Sequence, residues 1–121
     1  MQRWRAVLAD LMCVLIFVVI GRRQHGEESA VSGVVTTAAP FLIGLVIASC
    51  IGKLRGKPAD TVLAGVYTWV TTVLLGLLLR RFVFDRGTAA AFVIVAILFL
   101  GATLIGWRAL AAVRQRQVDA A

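Results

Sequence analysis

Thr61-Val62-Leu63-Ala64-Gly65-Val66-Tyr67-Thr68-Trp69-Val70-Thr71-Thr72-Val73-Leu74-Leu75-Gly76-Leu77-Leu78-Leu79 runs for nineteen residues without a charge. As a helix rising about 1.5 Å per residue it would be about 28 Å long, close to the ~30 Å hydrocarbon core of a bilayer. Apolar residues do not alternate with polar ones along it, so it does not read as a barrel strand. In lipid every backbone amide must be satisfied within the protein, and a helix does this alone.

Outward from this stretch the pattern repeats. Apolar runs cover approximately Trp4–Ile20, Ala30–Gly52 and Ala89–Trp107, and with Thr61–Leu79 they make four candidate membrane helices. The first is short and contains Asp10. No small-residue cleavage site follows it, so it is read as a mature helix rather than a signal peptide. The connections are short and polar, which makes successive helices antiparallel neighbours. Pro58, Asp60 and Thr61 form a turn leading into a helix N-cap, and Gly26 is placed to end the first helix. Residues 108–121 extend from the last helix as a basic tail. The expected fold is thus an all-α integral membrane four-helix bundle, one domain over residues 1–121, with both termini on the same side.

Composition agrees. Hydrophobic residues make up 60% of the 121 and the mean hydropathy is +0.92, well above the ~45–50% apolar content of ordinary globular chains. The net charge of +7 comes from residues that flank the apolar runs, so it reads as topology signal and lipid head-group anchoring rather than nucleic-acid binding. Eight Lys and Arg residues lie on the side of the termini (Arg3, Arg5, Lys53, Arg55, Lys57, Arg108, Arg114, Arg116). Five lie opposite (Arg22, Arg23, Arg80, Arg81, Arg86). The positive-inside rule then puts both termini in the cytoplasm, with dual topology as the alternative. Cys13 and Cys50 lie inside apolar runs at different depths and are expected to remain free thiols. No cofactor, metal-ligand spacing, phosphate-cradling loop or nucleophile–base pair is legible, and the chain is expected not to be an enzyme.

Three features carry potential chemistry. Asp10, about 9 Å from Trp4 along the helix, is either an embedded proton- or cation-binding group or a carboxylate at the start of a helix that begins late. If embedded, it lies level with Ser49 and Thr103, whose hydroxyls are the expected donors, and within reach of Arg108 by snorkelling. On the other side, Arg22, Arg23, His25, Arg80, Arg81 and Arg86 form either an anion funnel or a lipid-anchoring belt. The third feature is a pair of small-residue stripes suited to close helix packing. One carries Gly33, Pro40 and Gly44, and the other Gly65 and Gly76. Pro40 is expected to kink its helix, and Trp69, far from the interface, to pack or line a pocket.

Asp10, Phe17, Gly21-Arg22-Arg23-Gln24-His25, Pro40-Phe41, Gly44, Trp69, Gly76, Arg80, Phe92-Val93 and Gly106-Trp107-Arg108 together resemble domain-of-unknown-function family 3054. These are small four-helix bacterial membrane proteins, mainly actinobacterial. The resemblance covers nearly the whole chain and implies a four-helix membrane fold, but no activity. Small multidrug exporters and fluoride channels share the size and helix count, yet this chain lacks the exporters' first-helix glutamate and the channels' glycine-rich signature.

Two functional expectations follow. The first is a transport-like or channel-like homo-oligomer of the bacterial cytoplasmic membrane, with Asp10 and the outer arginines as polar waypoints and the small-residue stripes at the interface. The second is a non-enzymatic accessory subunit of a larger membrane complex, with its arginines on lipid head groups.

Overall fold

The computed structural model describes residues 3–24, 31–83 and 90–120, and these form four helices: α1 (Arg3–Gln24), α2 (Val31–Leu54), α3 (Val62–Phe82) and α4 (Ala90–Ala120). Each packs on the next in chain order and α4 returns to α1, closing a ring. All four are long and apolar enough to cross a membrane.

The connection between α2 and α3 is built as its residues dictate. The amide of Lys57 donates to the carbonyl of Gly52 (3.0 Å) and that of Gly56 to Lys53 (3.1 Å), with Gly56 at φ +66°. This double bond with a left-handed glycine is the Schellman termination, and it uses up the last carbonyls of α2. Four residues on, the Thr61 hydroxyl accepts from the Ala64 amide at 3.1 Å and caps α3. Gly26, expected to end α1, lies outside the described residues.

Two boundaries differ most from expectation. Helix α1 reaches Gln24 rather than Ile20, so the arginine pair at positions 22–23 is its last turn and not a loop. Helix α4 does not stop at Trp107 but runs unbroken for 31 residues to Ala120. At about 1.5 Å per residue it is about 46 Å long, more than the ~30 Å hydrocarbon core needs. The supposed tail is therefore helix, and Arg108 lies inside it. Pro40 sits within an α2 that continues through it.

The ring has an apolar centre. Val14, Phe17 and Val18 of α1 meet Phe41 and Leu45 of α2 and Leu100 and Leu104 of α4, all buried. Phe17 is the hub of an aromatic cluster, 5.8 Å from Phe41 edge-on and 5.7 Å from Phe99. The outside is apolar too: Leu8, Met12, Ile16 and Ile20 form a stripe of exposed side chains at four-residue spacing along α1. A surface of that kind is stable when its solvent is lipid, so this is a multi-pass membrane protein.

The small-residue stripes hold the ring together from within. A β-carbon on Gly44 would lie 3.1 Å from the Thr72 carbonyl, and one on Gly76 would lie 2.4 Å from Cδ1 of Phe41. Gly65, Thr68, Thr72 and Gly76 are all buried on α3. These residues are consumed between helices of one bundle, which removes the expectation that they form an interface between copies. Gly33 lies in the first turn of α2, and its packing is outside what the structure describes.

Candidate functional site: a buried ion pair beneath a basic-rimmed cavity

Asp10 lies seven residues into α1, about 10 Å along the helix axis from Arg3, and is only 2% exposed. The late-starting-helix reading is thereby excluded. Arg108, at the same level on α4, is also 2% exposed. Its Nη1 donates to Oδ1 of Asp10 at 2.7 Å and its Nη2 to Oδ2 at 2.8 Å. The Trp107 indole Nε1 adds a third donor to Oδ1 at 2.9 Å. Such two-pronged arginine–carboxylate geometry is both strong and directional.

The guanidinium is held on its other edges. Its Nε donates to the Ala59 carbonyl at 2.9 Å and its Nη1 also donates to the Leu104 carbonyl at 3.0 Å. Its centre lies 4.4 Å from the centroid of the Trp107 ring. Gly65 makes the route possible: a β-carbon there would sit 2.8 Å from Cδ of Arg108. One residue on α1, two on α4, a loop carbonyl and a glycine on α3 thus converge on one buried charge pair.

The expected hydroxyl donors take no part. Thr103 donates to the Phe99 carbonyl of its own helix at 2.9 Å, the usual back-bond of a helical threonine. Ser49 lies near Asp10 on the wall of a shared cavity, without a hydrogen bond to it. Trp107 was not anticipated as a donor. The signal available in the sequence was the Trp107-Arg108 pair at the level of the only acid within the first apolar run.

The cavity has a volume of about 440 Å³. Asp10 and Arg108 lie on its wall, together with Ala6, Ala48 and Thr68, which face the bundle interior. Ile51, Leu63 and Tyr67 also line it and are exposed on the outside of the bundle, so the cavity reaches from the interior to the surface. Arg3, Arg55 and Lys57 line it at the end nearest the α2–α3 connection. A guanidinium hydrogen bond from Arg3 to the Lys57 carbonyl ties the start of α1 to that connection.

Of the outer basic residues, Arg80 and Arg81 are the two whose side chains are described. Arg80 stacks over the Phe92 ring, 4.2 Å from its centroid, and Arg81 is exposed. The side chains of Arg22 and Arg23 and the whole of His25 and Arg86 lie outside the described residues. Trp69 is a packing residue: its ring fills the space over Gly101, and its Nε1 donates to the Ile97 carbonyl at 2.9 Å. Gly101, unremarked in the sequence reading, is what admits it. Thr72 keeps a buried hydroxyl with no partner. Cys13 and Cys50 are free thiols. Among the described residues no three His, Cys, Asp or Glu side chains group as metal ligands.

Fold and site together define a small polytopic helical membrane protein whose first and last helices are joined by a buried ion pair. The chain belongs to the family described as "Protein of unknown function (DUF3054)", whose model matches residues 7–111. That span contains Asp10, Arg108 and all of the cavity lining except Arg3 and Ala6, and leaves out the last turns of α4. Searches of curated proteins and of solved structures find no match.

Proposed function

We propose that the protein is a non-enzymatic, transport-like component of the bacterial cytoplasmic membrane, with both termini in the cytoplasm, and that the cavity beside Asp10 and Arg108 is its working site. The observation that carries this reading is the cavity itself, which brings the buried ion pair of α1 and α4 together with a cationic rim in a chain otherwise built for lipid. Buried ionisable groups in membrane helices are costly and characteristically line ligand or ion paths. Beyond the ion pair the aromatic cluster around Phe17 fills the ring, so a path across the membrane needs a second copy or a larger complex alongside. The basic-residue count supports the orientation: with Arg108 buried, eight against five becomes seven against five, still favouring termini inside.

The test is flux. Protein reconstituted in vesicles should pass anions down a gradient, and Arg108→Met together with Asp10→Leu, which removes the buried ion pair and leaves the rim cations in place, should abolish this. Vesicles no leakier than protein-free ones would sink the proposal.

One observation favours the accessory-subunit reading. Both Asp10 oxygens are engaged, by three donors in all, which is the arrangement of a structural lock. Co-purification of a larger membrane protein in mild detergent, lost on substitution of exposed apolar residues of α1, would support it.

A further inference from the structure

The cavity combines two chemistries, an aliphatic wall and a cationic rim. Its wall is mainly aliphatic, with Ala6, Val7, Ala48, Ile51 and Leu63 contributing. Its charged groups are Arg3, Arg55, Lys57 and Arg108 against one carboxylate, Asp10, for a net of +3. That carboxylate is not free to repel an anion, because Arg108 and Trp107 hold both its oxygens. A volume of about 440 Å³ falls in the lower part of the ~300–1,000 Å³ range of small-ligand sites. It has room for one aliphatic chain, not for a two-chain phospholipid held whole.

We infer that the cavity binds a single-chain amphiphile with an anionic head, a carboxylate or phosphate monoester. The chain lies along the aliphatic wall toward Ala48 and Thr68, and the head meets Arg55 and Lys57 at the rim. Both rim side chains are exposed, as a head group at the membrane–water boundary requires, while the apolar part of the wall runs inward to the ion pair. Arginine adds a planar fork suited to two oxygens of such a head, and lysine a movable point charge. The aliphatic lining selects for a chain that a free inorganic anion does not possess.

This rests on the cavity being the working site, but it is tested without flux. The full chain in nanodiscs of zwitterionic lipid is titrated with dodecyl phosphate, dodecanoate, dodecyltrimethylammonium and inorganic phosphate, and binding is followed by native mass spectrometry. The two anionic amphiphiles should bind saturably with one molecule per chain, the cationic one and inorganic phosphate at least about tenfold more weakly. Arg55→Ala with Lys57→Ala should weaken dodecyl phosphate by a similar factor. Only backbone atoms of these residues serve the α2 termination, so the double variant keeps its fold, to be checked by an unchanged melting curve. Ser49→Leu, which narrows the cavity, should weaken both anionic amphiphiles without changing the ratio between them. Equal binding of the cationic amphiphile, or an unaltered affinity in the rim variant, overturns the inference. Inorganic phosphate binding as tightly as dodecyl phosphate reduces the site to an anion site and overturns it as well. A protein that binds the amphiphile but passes no anion sinks only the transport reading, and one that passes anions without binding amphiphiles sinks only this one.

Discussion

Arg108 and Asp10, 98 positions apart in the chain, face each other through parallel hydrogen bonds of 2.7 and 2.8 Å, each residue nearly sealed from the exterior. The pair is the principal polar contact between α1 and α4, and it decides how the fold responds to substitution. Breaking a buried pair leaves one charge stranded, at a cost of about 3–5 kcal/mol, whereas replacing both partners by apolar residues of like volume is often neutral or stabilising.

Asp10→Asn and Arg108→Met should therefore each lower the stability of the detergent-solubilised protein by about 3–5 kcal/mol. Asp10→Leu combined with Arg108→Met should return it close to wild type. A double-mutant cycle on the thermal midpoint measures this. Single-variant losses in the ~0–1 kcal/mol range of an exposed pair would contradict the burial described.

Gly76 and Gly106 make a matched pair of probes. An alanine at 76 meets Phe41, which is 0% exposed and has nowhere to turn, so Gly76→Ala should cost about 1–3 kcal/mol. At Gly106 nothing lies within 4 Å of an added β-carbon, and Gly106→Ala should stabilise the helix by roughly 0.5–1 kcal/mol. Midpoints shifting in the same direction would show the packing to be wrong.

Much of the architecture could be read directly. Four continuous apolar runs separated by charged islands leave few alternatives in lipid, and Thr61 after Pro58 marks the start of α3 by its chemistry alone. An arginine after an apolar run ordinarily signals the interface, yet α4 runs on well past Arg108. Arg108 is inside, compensated by Asp10 across the bundle; its reach toward Asp10 is legible from depth, whereas its full burial is a tertiary fact. The same holds for Thr103 and Ser49: Ser49 shares the cavity wall with Asp10 without bonding it, and the Thr103 hydroxyl donates to the Phe99 carbonyl on its own helix. The glycine stripes announced close packing without saying against what, and only the placement of Phe41 and Arg108 shows that the partners are internal.

The two cysteines should stay reduced. Non-reducing electrophoresis of protein purified without thiols should show no mobility change, and maleimide should label both after denaturation. A shift lost on Cys13→Ser with Cys50→Ser would refute this.

For orientation, a cysteine at Gln117, exposed on the last turns of α4, should react with impermeant maleimide only after cells are opened. One at Gln24, the last residue of α1, should react in intact cells. Labelling at both positions from both sides would indicate two orientations of one chain.

The closure of the ring by its first and last members has a consequence for biogenesis. Helix α1 leaves the ribosome first and carries a carboxylate that costs about 2.5–3.5 kcal/mol at mid-membrane by insertion scales. Its neutralising partner is not synthesised until α4 emerges. Until then Asp10 has no arginine to meet, and α1 must linger at the translocon's edge or tilt its acid toward water. Integration of the chain is thus a single event completed from the C-terminal end: a nascent chain stopped after α3 should leave α1 extractable, and synthesis through Arg108 should lock it in place.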